Sequence, residues 1–502
     1  MDIREATGKL KELQDRMSAY RSAMSLISYD GDTTAPVKTA ENRAHATGIL
    51  TAELYRMNTA PETVELLDAL DGHADELDEK TRRSVAVMLK RIREMEKIPQ
   101  DEYVAFRQLL VKAGAVWHEA KEKSDFKLFE PYLQQIFDTK KRFAGYCAPD
   151  MHPYDYQLDQ YEEGLTMEDC DRFFGTLKRH IVPLLAKIAQ CPKPDNAVLQ
   201  GCFPDAVQEK LAYWLMETLG LDLGHVGLGT TEHPFTTSIG SHHDVRITTR
   251  YVPDRFDRSM FSVIHEGGHA LYEAHVADDL AYTVLDGGAS MSIHESQSRF
   301  YENIVGRSRP FMDILLPKLR ELIPENVSDT DADALYRAVN RIEPTLIRTE
   351  ADEVTYSLHV MVRYELEKAV LSGELAVHDL PEAWNRLYRE YLGIEVPDDK
   401  RVVLQDSHWS GGLIGYFPSY ALGNAYGAQF MKQMQKTVDI DACVRAGDLS
   451  PVNEWNRTHI WQYGRLYTPS DLLKRVLDGP FDPEVYTSYL EEKYGELYGF
   501  RA

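Results

Sequence analysis

The sequence is short of cysteine and of positive charge, and these shortages exclude several classes of protein. Its five cysteines are scattered, odd in number and form no CxxC pair, which argues against a disulfide framework and a thiolate metal site. Lys and Arg number 56 against 80 Asp and Glu, so the formal net charge is −24. Such a surface repels polyanions at long range, and we expect neither a nucleic-acid nor a membrane partner.

An apolar leader and a membrane span are also lacking. The first residues, MDIREATGKLKELQDRM, are charged throughout and have no apolar core of the kind that a signal peptide carries. Residues 408–431 form a long uncharged stretch, but they are rich in glycine and polar side chains. They predict a buried loop and helix rather than a span. Together with the cysteine pattern, this indicates a reduced, cytoplasmic compartment.

What the sequence does contain is helical periodicity. Residues 2–28 place apolar side chains at a spacing near 3.6 residues, as an amphipathic helix requires. The same spacing predicts further helices at 41–57, 62–96, 101–123, 126–146, 167–189, 205–219, 258–276, 292–306, 310–323, 331–339, 345–371, 380–393 and 481–498. In 233–251, Thr, Val, Ile and Tyr surround a Gly-Ser-His-His-Asp break and predict a β-hairpin. With no repeat or low-complexity linker, residues 1–502 are interpreted as one mainly α unit.

One motif has the spacing of a metal site. His265-Glu266-Gly267-Gly268-His269 is an HExxH pattern inside an apolar helical segment. Residues four apart share a helix face, so both imidazoles can reach one ion while Glu266 holds a water beside it. A chance match is the alternative, and the apolar flanks argue against it. Two adjacent glycines are unfavourable in a helix, which indicates close packing or a substrate passing over that face.

A catalytic zinc site needs a third protein ligand and an open position. Glu295 is the best downstream candidate, 26 residues after His269 on a predicted helix. The intervening Asp286-Gly287-Gly288 lets the chain turn back, so that two antiparallel helices can present the three ligands. An i,i+4 salt bridge from Glu295 to Arg299 is the structural alternative. His294 competes for the ligand role, because only one of the two neighbours can face the ion.

In this order along the chain, the motifs resemble the carboxypeptidase Taq family of zinc metallocarboxypeptidases. HEGGHALYE and HESQSRFYEN carry the resemblance most strongly. The other matching segments are YDGDTTAP (29–36), the YD…YEEG segment (154–164), HPF (233–235), DVRITT (244–249), QDSHW (405–409) and the region of Lys493-Tyr494. Two departures are Glu232, where the family usually has Asp, and Val402, where it usually has Gly. Neither touches a proposed metal ligand.

The resemblance implies roles for these residues. It implies His265, His269 and Glu295 as ligands of one Zn²⁺ ion and Glu266 as the general base. Co²⁺ could replace Zn²⁺ or activate the enzyme. It also implies a mainly α fold similar to the neurolysin-like peptidases, with a deep cleft, a small β-hairpin or sheet near the active site, and a homodimer. Residues 1–200 would then cover the cleft, and residues 230–430 would hold the metal.

Peptide hydrolysis develops an oxyanion that needs donors beyond the metal. His408, Tyr416 and Tyr420 lie in the glycine-rich stretch HWSGGLIGYFPSY. A similar His…Tyr spacing in related helical metallopeptidases favours Tyr420 first and His408 second. Core packing is the alternative for both tyrosines, and Tyr416 is otherwise a candidate for substrate contact. Gln405 and His233 are further candidates for substrate binding, because they lie in the matching motifs.

An exopeptidase must also bind a free C-terminal carboxylate, which the planar fork of arginine does best. Pro344 suits a helix start, and from there Arg348, Asp352 and His359 would share one polar face. Arg348 is the first candidate, with an Arg348–Asp352 ion pair as the structural alternative. Arg246 is the second candidate, and its strand could accept the substrate backbone as an added edge strand.

The sequence therefore predicts an enzyme, a metal-dependent carboxypeptidase that releases single amino acids from peptides with a free C-terminus. One alternative is an endopeptidase or dipeptidyl carboxypeptidase on the same scaffold. Another is a non-catalytic helical interaction protein that retains a metal site, although the intact Glu266 argues against it. The acidic envelope predicts that basic or neutral peptides are favoured over acidic ones at low ionic strength.

Overall fold

The computed structural model describes residues 2–500, most of them α-helical. The helices of the first part are α1 (Ile3–Thr33), α2 (Ala40–Thr59), α3 (Pro61–Asp71), α4 (Glu79–Lys97), α5 (Gln100–Lys123), α6 (Phe126–Cys147), α7 (Pro153–Asp159), α8 (Met167–Ile188) and α9 (Asp205–Leu219). Those of the second part are α10 (Phe256–Ala274), α11 (Met291–Arg299), α12 (Arg309–Leu322), α13 (Pro324–Val327), α14 (Ala332–Val339), α15 (Tyr356–Ser372), α16 (Leu380–Leu392), α17 (Pro418–Met434), α18 (Ile440–Ala446), α19 (Ser450–His459), α20 (Pro469–Val476) and α21 (Glu484–Tyr498). The mainly α fold class is confirmed.

Two predicted helices were wrong in their extent. The predicted helix 62–96 is two helices, α3 and α4, and Asp78 caps the second of them through its side chain. The predicted helix 345–371 begins only at Tyr356, because the Asp352 carboxylate accepts backbone N–H groups just before it and holds the chain in a turn. The uncharged stretch 408–431 is a loop followed by α17, as predicted.

The predicted hairpin is confirmed, with one more strand beside it. Strands β2 (Thr236–Ser238) and β3 (Val245–Thr249) pair antiparallel. Strand β1 (Val226–Thr230) pairs parallel with β3, so the order in the sheet is β1-β3-β2. Two glycines in VGLGT hide the strand tendency of β1 from a propensity argument. Because β3 is paired on both sides, the prediction that Arg246's own strand accepts substrate backbone was wrong.

Two large apolar clusters organise the described residues, beside a minor one of Ala144, Cys147 and Tyr156. The larger one extends from Phe106 to Tyr494 and joins the inner faces of the helices from α5 onwards. The smaller one, the N-terminal cluster, joins α1, α3 and α4 to Val276, Leu280, Val284 and Leu285. The N-terminal helices therefore rest on the segment that follows α10. Within residues 2–500, no helix combines the length and apolar character needed to cross a bilayer.

Glycines bring α10, α11 and α17 into direct backbone contact. A Cβ atom on Gly268 of α10 would lie 2.7 Å from the carbonyl oxygen of Gln297 in α11. A Cβ atom on Gly423 of α17 would lie 2.6 Å from the Cβ atom of Glu295. Gly267 faces the opposite side, where its Cβ would meet the Leu219 side chain of α9 at 2.6 Å. The glycine pair of the HExxH motif thus serves close packing on both sides of α10.

Candidate active site

The three predicted metal ligands converge between α10 and α11. His265 and His269 lie one turn apart on α10, with ring centroids 4.9 Å apart. The Oε2 atom of Glu295 on α11 lies 3.9 Å from His265 Nε2 and 3.5 Å from His269 Nε2. All three donor atoms lie within 4.8 Å of one another, and both imidazoles are partly exposed. Two imidazoles and a carboxylate with an open side fit a divalent catalytic metal.

The two alternatives to Glu295 as a ligand were a salt bridge to Arg299 and a ligand role for His294. The Oε1 atom of Glu295 accepts a hydrogen bond from Arg299 Nε at 2.8 Å, so the i,i+4 salt bridge forms and still leaves Oε2 directed at the two imidazoles. His294 turns the other way, and its Nδ1 lies 2.6 Å from His269 Nδ1. Glu295 is therefore the candidate ligand, and His294 orients the other candidate ligand, His269.

A hydrogen-bonded chain sets the orientation of His269. The Nε2 atom of His294 lies 2.7 Å from Glu273 Oε1. Ser238 of β2 donates to the other oxygen, Glu273 Oε2, at 2.7 Å. Burial raises the pKa of Glu273, but His294 and Ser238 outweigh it and bring the pKa to about 2. Burial lowers the pKa of His269 to about 3. The neutral His269 ring, with Nδ1 engaged, could bind a metal ion through Nε2.

Glu302 performs the same task for His265. His265 Nδ1 donates to Glu302 Oε2 at 2.9 Å, and Arg299 donates to the same oxygen at 2.9 Å. Glu302 lies in a π-helical segment, Phe300–Val305, that continues α11. Burial opposes protonation of His265, but Glu295 and Glu302 raise its pKa. A proton therefore competes with a cation at this imidazole.

The side chain of Glu266 is buried beside the ligands, and β2 holds it. Thr236 Oγ1 donates to Glu266 Oε2 at 2.6 Å. Burial raises the pKa of Glu266, and the neighbouring carboxylates of Glu295 and Glu302 add to the rise. A carboxylate with a raised pKa next to a metal site is suited to taking up a proton. The small sheet predicted near the active site thus contacts it directly.

The candidate oxyanion donors form an aromatic cluster in which His408 and Tyr416 lie on the loop before α17 and Tyr420 lies in the first turn of α17. His408 Nε2 lies 3.1 Å from the hydroxyl of Tyr420, and the ring of Tyr416 stands 5.2 Å from that of Tyr420. Burial lowers the pKa of His408 to about 4 and raises that of Tyr420 well above its usual range. Burial also raises the pKa of Tyr416 to about 12, and the charge of Glu295 adds to the rise at both tyrosines. The two tyrosines therefore lie within electrostatic reach of Glu295, one of the candidate metal ligands.

A buried carboxylate holds this loop in place. Glu367 of α15 accepts hydrogen bonds from Trp409 Nε1 at 2.6 Å, from the Gly415 backbone N–H at 2.9 Å and from the Tyr154 hydroxyl at 2.9 Å. Burial raises the pKa of Glu367 to about 7 despite these donors. The carboxylate joins the YD motif of the first part of the chain to the QDSHW motif of the second.

Arg348 lies close to Tyr420, but not on a helix face as predicted. It occupies a 3-10 turn before α15, and Asp352 serves as a turn cap, so the Arg348–Asp352 ion pair does not form. The guanidinium instead donates to Asp406 Oδ1 from Nε at 3.1 Å and from NH2 at 2.9 Å. It also lies 4.7 Å from the centroid of the Tyr420 ring.

The remaining predicted substrate-binding residues lie at different distances from this cluster. Gln405 accepts a hydrogen bond from the Arg348 backbone N–H at 2.7 Å, and its amide nitrogen donates to Leu346 O at 2.9 Å. Arg246 of β3 is paired with Asp244. His233 is exposed in the loop between β1 and β2. Gln405 therefore fixes the turn that carries Arg348, whereas the other two lie at the sheet.

Sequence reasoning missed the residues behind the ligands, although two of them had a pattern. Glu273 follows His269 by four residues, and Glu302 follows Glu295 by seven, so each shares a helix face with a ligand. Thr236 and Glu367 had no such spacing. Their roles depend on contacts between segments that lie far apart in the chain.

A helical scaffold that presents two histidines and a glutamate, with a carboxylate or a histidine behind each imidazole, is typical of a metallopeptidase. The chain is 40% identical over 500 residues to Carboxypeptidase 1 of Bacillus subtilis, covering 99% of this chain and 100% of that one. It is 36% identical to Thermostable carboxypeptidase 1 of Pyrococcus furiosus, over 95% of this chain and 96% of that one. The structure of an M32 carboxypeptidase from Deinococcus radiodurans R1 matches with a TM-score of 0.96 and 34% identity, over 99% of this chain and 100% of that chain.

The family model for carboxypeptidase Taq (M32) metallopeptidases matches residues 9–494. The chain therefore belongs to the carboxypeptidase Taq (M32) family, and it is a metallocarboxypeptidase. The resemblance drawn from the motifs is confirmed, as is the enzyme class. A divalent metal and peptide substrates follow from the family.

Proposed function

We propose that this chain removes single amino acids from peptide C-termini with one Zn²⁺ ion held by His265, His269 and Glu295. The observation that carries the proposal is the convergence of these three donors with a hydrogen-bonded partner behind each imidazole. Two imidazoles and one carboxylate suit Zn²⁺, and Co²⁺ or Mn²⁺ can occupy the same donor set. When bound, the ion supplies Lewis acidity that activates a water molecule and polarises the scissile carbonyl.

Glu266 is the proposed general base and acid. Its buried carboxylate takes the proton from the attacking water and later gives it to the leaving amine. Thr236 keeps one carboxylate oxygen oriented by its 2.6 Å hydrogen bond. The raised pKa, caused first by burial, makes the carboxylate a better proton acceptor than an exposed glutamate.

Tyr420 and His408 are the proposed donors to the developing oxyanion. Both are neutral in this environment, so each brings an N–H or O–H group without introducing a charge. The Tyr420 hydroxyl and His408 Nε2 are joined at 3.1 Å, which orients the pair. Donors that are fixed before the reaction stabilise the transition state more than mobile ones do. Tyr416 packs against this pair and is proposed to contact the substrate.

Arg348 is the proposed partner of the substrate carboxylate. Two arginines, Arg348 and Arg363, share the single carboxylate of Asp406, which leaves this buried cluster with one excess positive charge. A C-terminal carboxylate that enters beside Tyr420 would balance that charge. Gln405 holds the turn that carries Arg348, and we propose that its part in substrate binding is this positioning.

His233 and Arg246 are proposed to contact parts of the peptide further from the cleaved bond. We also propose that residues 1–502 form one catalytic domain, with residues 1–200 covering a deep cleft and residues 230–430 holding the metal. The apolar cluster that extends from Phe106 to Tyr494 supports a single unit. A homodimer in the cytoplasm remains our expectation from the family resemblance and the cysteine pattern.

Mass spectrometry of a mixed peptide pool, with and without a chelator, tests the reaction type and the metal dependence together. We expect ladders that shorten by one C-terminal residue at a time and that disappear with the chelator. Peptides with an amidated C-terminus should be spared. Equal cleavage of free and amidated peptides would refute the carboxypeptidase proposal in favour of an endopeptidase, and loss of residues in pairs would favour a dipeptidyl carboxypeptidase.

The Glu266→Gln variant tests the role of the base separately. It should lose 10²-fold to 10⁴-fold in kcat, the range that general acid–base catalysis contributes. Because Glu266 is not a ligand, the variant should still bind one equivalent of Zn²⁺ at this site. Unchanged peptide turnover in the variant would refute the assignment.

A further inference from the structure

A second cluster of metal-binding side chains lies where the turn between β2 and β3 meets the segment after α10. Donor atoms of His242, His243 and Asp278 lie within 4.8 Å of one another. His242 Nε2 is 3.3 Å from Asp278 Oδ1, and His243 Nε2 is 4.0 Å from the same oxygen. Two imidazoles and a carboxylate are donors that Zn²⁺ and Co²⁺ accept. None of the three residues has a part in the function proposed above.

The surroundings of His242 are those of a metal ligand. Its side chain is only 2% exposed, and its Nδ1 lies 2.9 Å from Asp286 Oδ1, whose side chain is 9% exposed. This contact fixes the ring so that Nε2 points towards Asp278 and His243. A carboxylate behind a histidine is the usual outer partner of a metal-bound imidazole. The turn itself is held by His225, whose Nδ1 donates to His243 O at 2.8 Å.

The charges around the cluster favour a cation. Asp278 and Asp286 bring two negative charges to two imidazoles, and the Asp278 side chain is 91% exposed and open to an arriving ion. The neighbouring carboxylate of Asp279 is neutralised by Lys80. Along residues 2–500, the ion-pair partners of Asp278 are the two histidines, and neither lysine nor arginine is among them.

The donor atoms, at most 4.8 Å apart, can be compared with the spacing that a bound ion requires. With metal–ligand bonds of about 2.0–2.1 Å, the donors of a tetrahedral site lie about 3.3 Å apart. The edge between His242 and Asp278 already has this length. His243, whose side chain is 43% exposed, can move to shorten its own 4.0 Å edge. A water molecule would complete the coordination from the exposed side.

We propose that His242, His243 and Asp278 bind a second divalent ion, Zn²⁺ or Co²⁺, with a structural role. The ion would join the β2–β3 turn to the segment on which the N-terminal cluster packs, since Leu280 and Val284 belong to that segment. The same turn contacts α1, where Ser18 Oγ donates to Gly240 O at 3.0 Å. The ion therefore fastens the N-terminal helices to the sheet that holds Glu266.

Metal stoichiometry of the full chain tests the proposal. Chain stripped with a chelator and titrated with Co²⁺ should bind two ions, whereas Asp278→Asn and His243→Ala should each bind one. Both side chains are at least partly exposed, so these variants should fold normally, which a circular dichroism spectrum checks. Asp279→Asn is the matched control, because this neighbouring carboxylate is not a proposed ligand and two ions should remain.

The Glu295→Gln variant separates this site from the candidate catalytic one. It should keep one Co²⁺ ion, and added Co²⁺ should raise its Tm, because a ligand that binds only the folded state stabilises it. The double variant Glu295→Gln, Asp278→Asn should show no such Tm shift. A single ion in the native chain, or two ions in Asp278→Asn, would overturn the proposal whatever the peptidase assays show.

Discussion

Replacing Tyr420 by Phe removes one hydroxyl and leaves the rest of the aromatic cluster in place. The ring would still lie 4.7 Å from the Arg348 guanidinium and 5.2 Å from the Tyr416 ring. The hydroxyl that disappears is the one 3.1 Å from His408 Nε2. The change therefore tests a single proposed donor, the Tyr420 hydroxyl.

The structure predicts a larger effect on catalysis than on stability. Loss of one oxyanion donor lowers kcat about 10²-fold to 10³-fold, or about 3–4 kcal/mol. The folded state loses one hydrogen bond and leaves His408 Nε2 unpaired, which costs about 1–3 kcal/mol. His408 Nδ1 already lacks a hydrogen-bond partner. The variant should therefore fold, with a modestly lower Tm, and turn over peptide very slowly.

The assay compares kcat and KM on an N-acylated dipeptide with a free C-terminus. We expect kcat to fall while KM stays within about threefold, since a transition-state interaction is lost and ground-state binding is kept. The affinity of a phosphonate peptide analogue should fall by the same factor as kcat/KM. Tyr416→Phe is the matched control and should keep kcat within about tenfold. If Tyr420→Phe keeps kcat within fivefold of the native enzyme, the hydroxyl is not the donor.

Three further predictions follow from the packing and the charges. Burial raises the pKa of Glu367 from 4.5 to about 7. The stability that this group contributes is therefore fully present below about pH 4.5 and is lost as the pH rises through 7, by up to about 3 kcal/mol. The free energy of urea unfolding should fall accordingly between pH 5 and 8, and Glu367→Gln should flatten this slope. Gly268→Ala should weaken Zn²⁺ binding more than tenfold in a competition titration, because its Cβ would strike the α11 backbone at 2.7 Å. Gly267→Ala meets only the end of a leucine side chain and should lose less Zn²⁺ affinity. Equal losses of affinity in the two variants would contradict the packing argument. Basic peptides should be cleaved faster than acidic ones at 10 mM salt. The ratio of their kcat/KM values should shrink at 150 mM salt, where charges are screened over about 8 Å. A ratio independent of salt would show that the acidic envelope has no role in selecting substrates.

Much of the candidate site could be predicted because its information is local. The spacing of His265 and His269 puts them on one helix face, and Glu295 follows on the next helix along the chain. The failures came where a contact between distant segments decides the outcome. Pro344 suggested a helix start, but the Asp352 side chain holds a turn just before a later start at Tyr356. Arg348 pairs instead with Asp406, far along the chain.

The fold class was predictable for the same reason, since amphipathic periods report each helix separately. The sheet was only partly predictable. A hairpin has a short-range pattern, whereas the parallel pairing of β1 with β3 spans an intervening loop and strand and involves a glycine-rich segment. The carboxylates behind the imidazoles could be predicted only in part from the sequence. Glu273 and Glu302 share helix faces with their ligands, but only the fold shows that these faces converge.

The division of most buried apolar residues between two large clusters has a consequence for how the molecule opens. Proteins unfold locally in cooperative units that tend to follow such clusters. The N-terminal cluster is the smaller of the two large ones, and its apolar contacts with the rest include Leu280, its neighbours and Leu466. Under mild denaturant, α1, α3 and α4 should therefore exchange their amide hydrogens before α10 does. The helices that carry the candidate metal ligands should keep their amide protection after the helices of the N-terminal cluster have opened, so a metal site formed by α10 and α11 would survive this local unfolding.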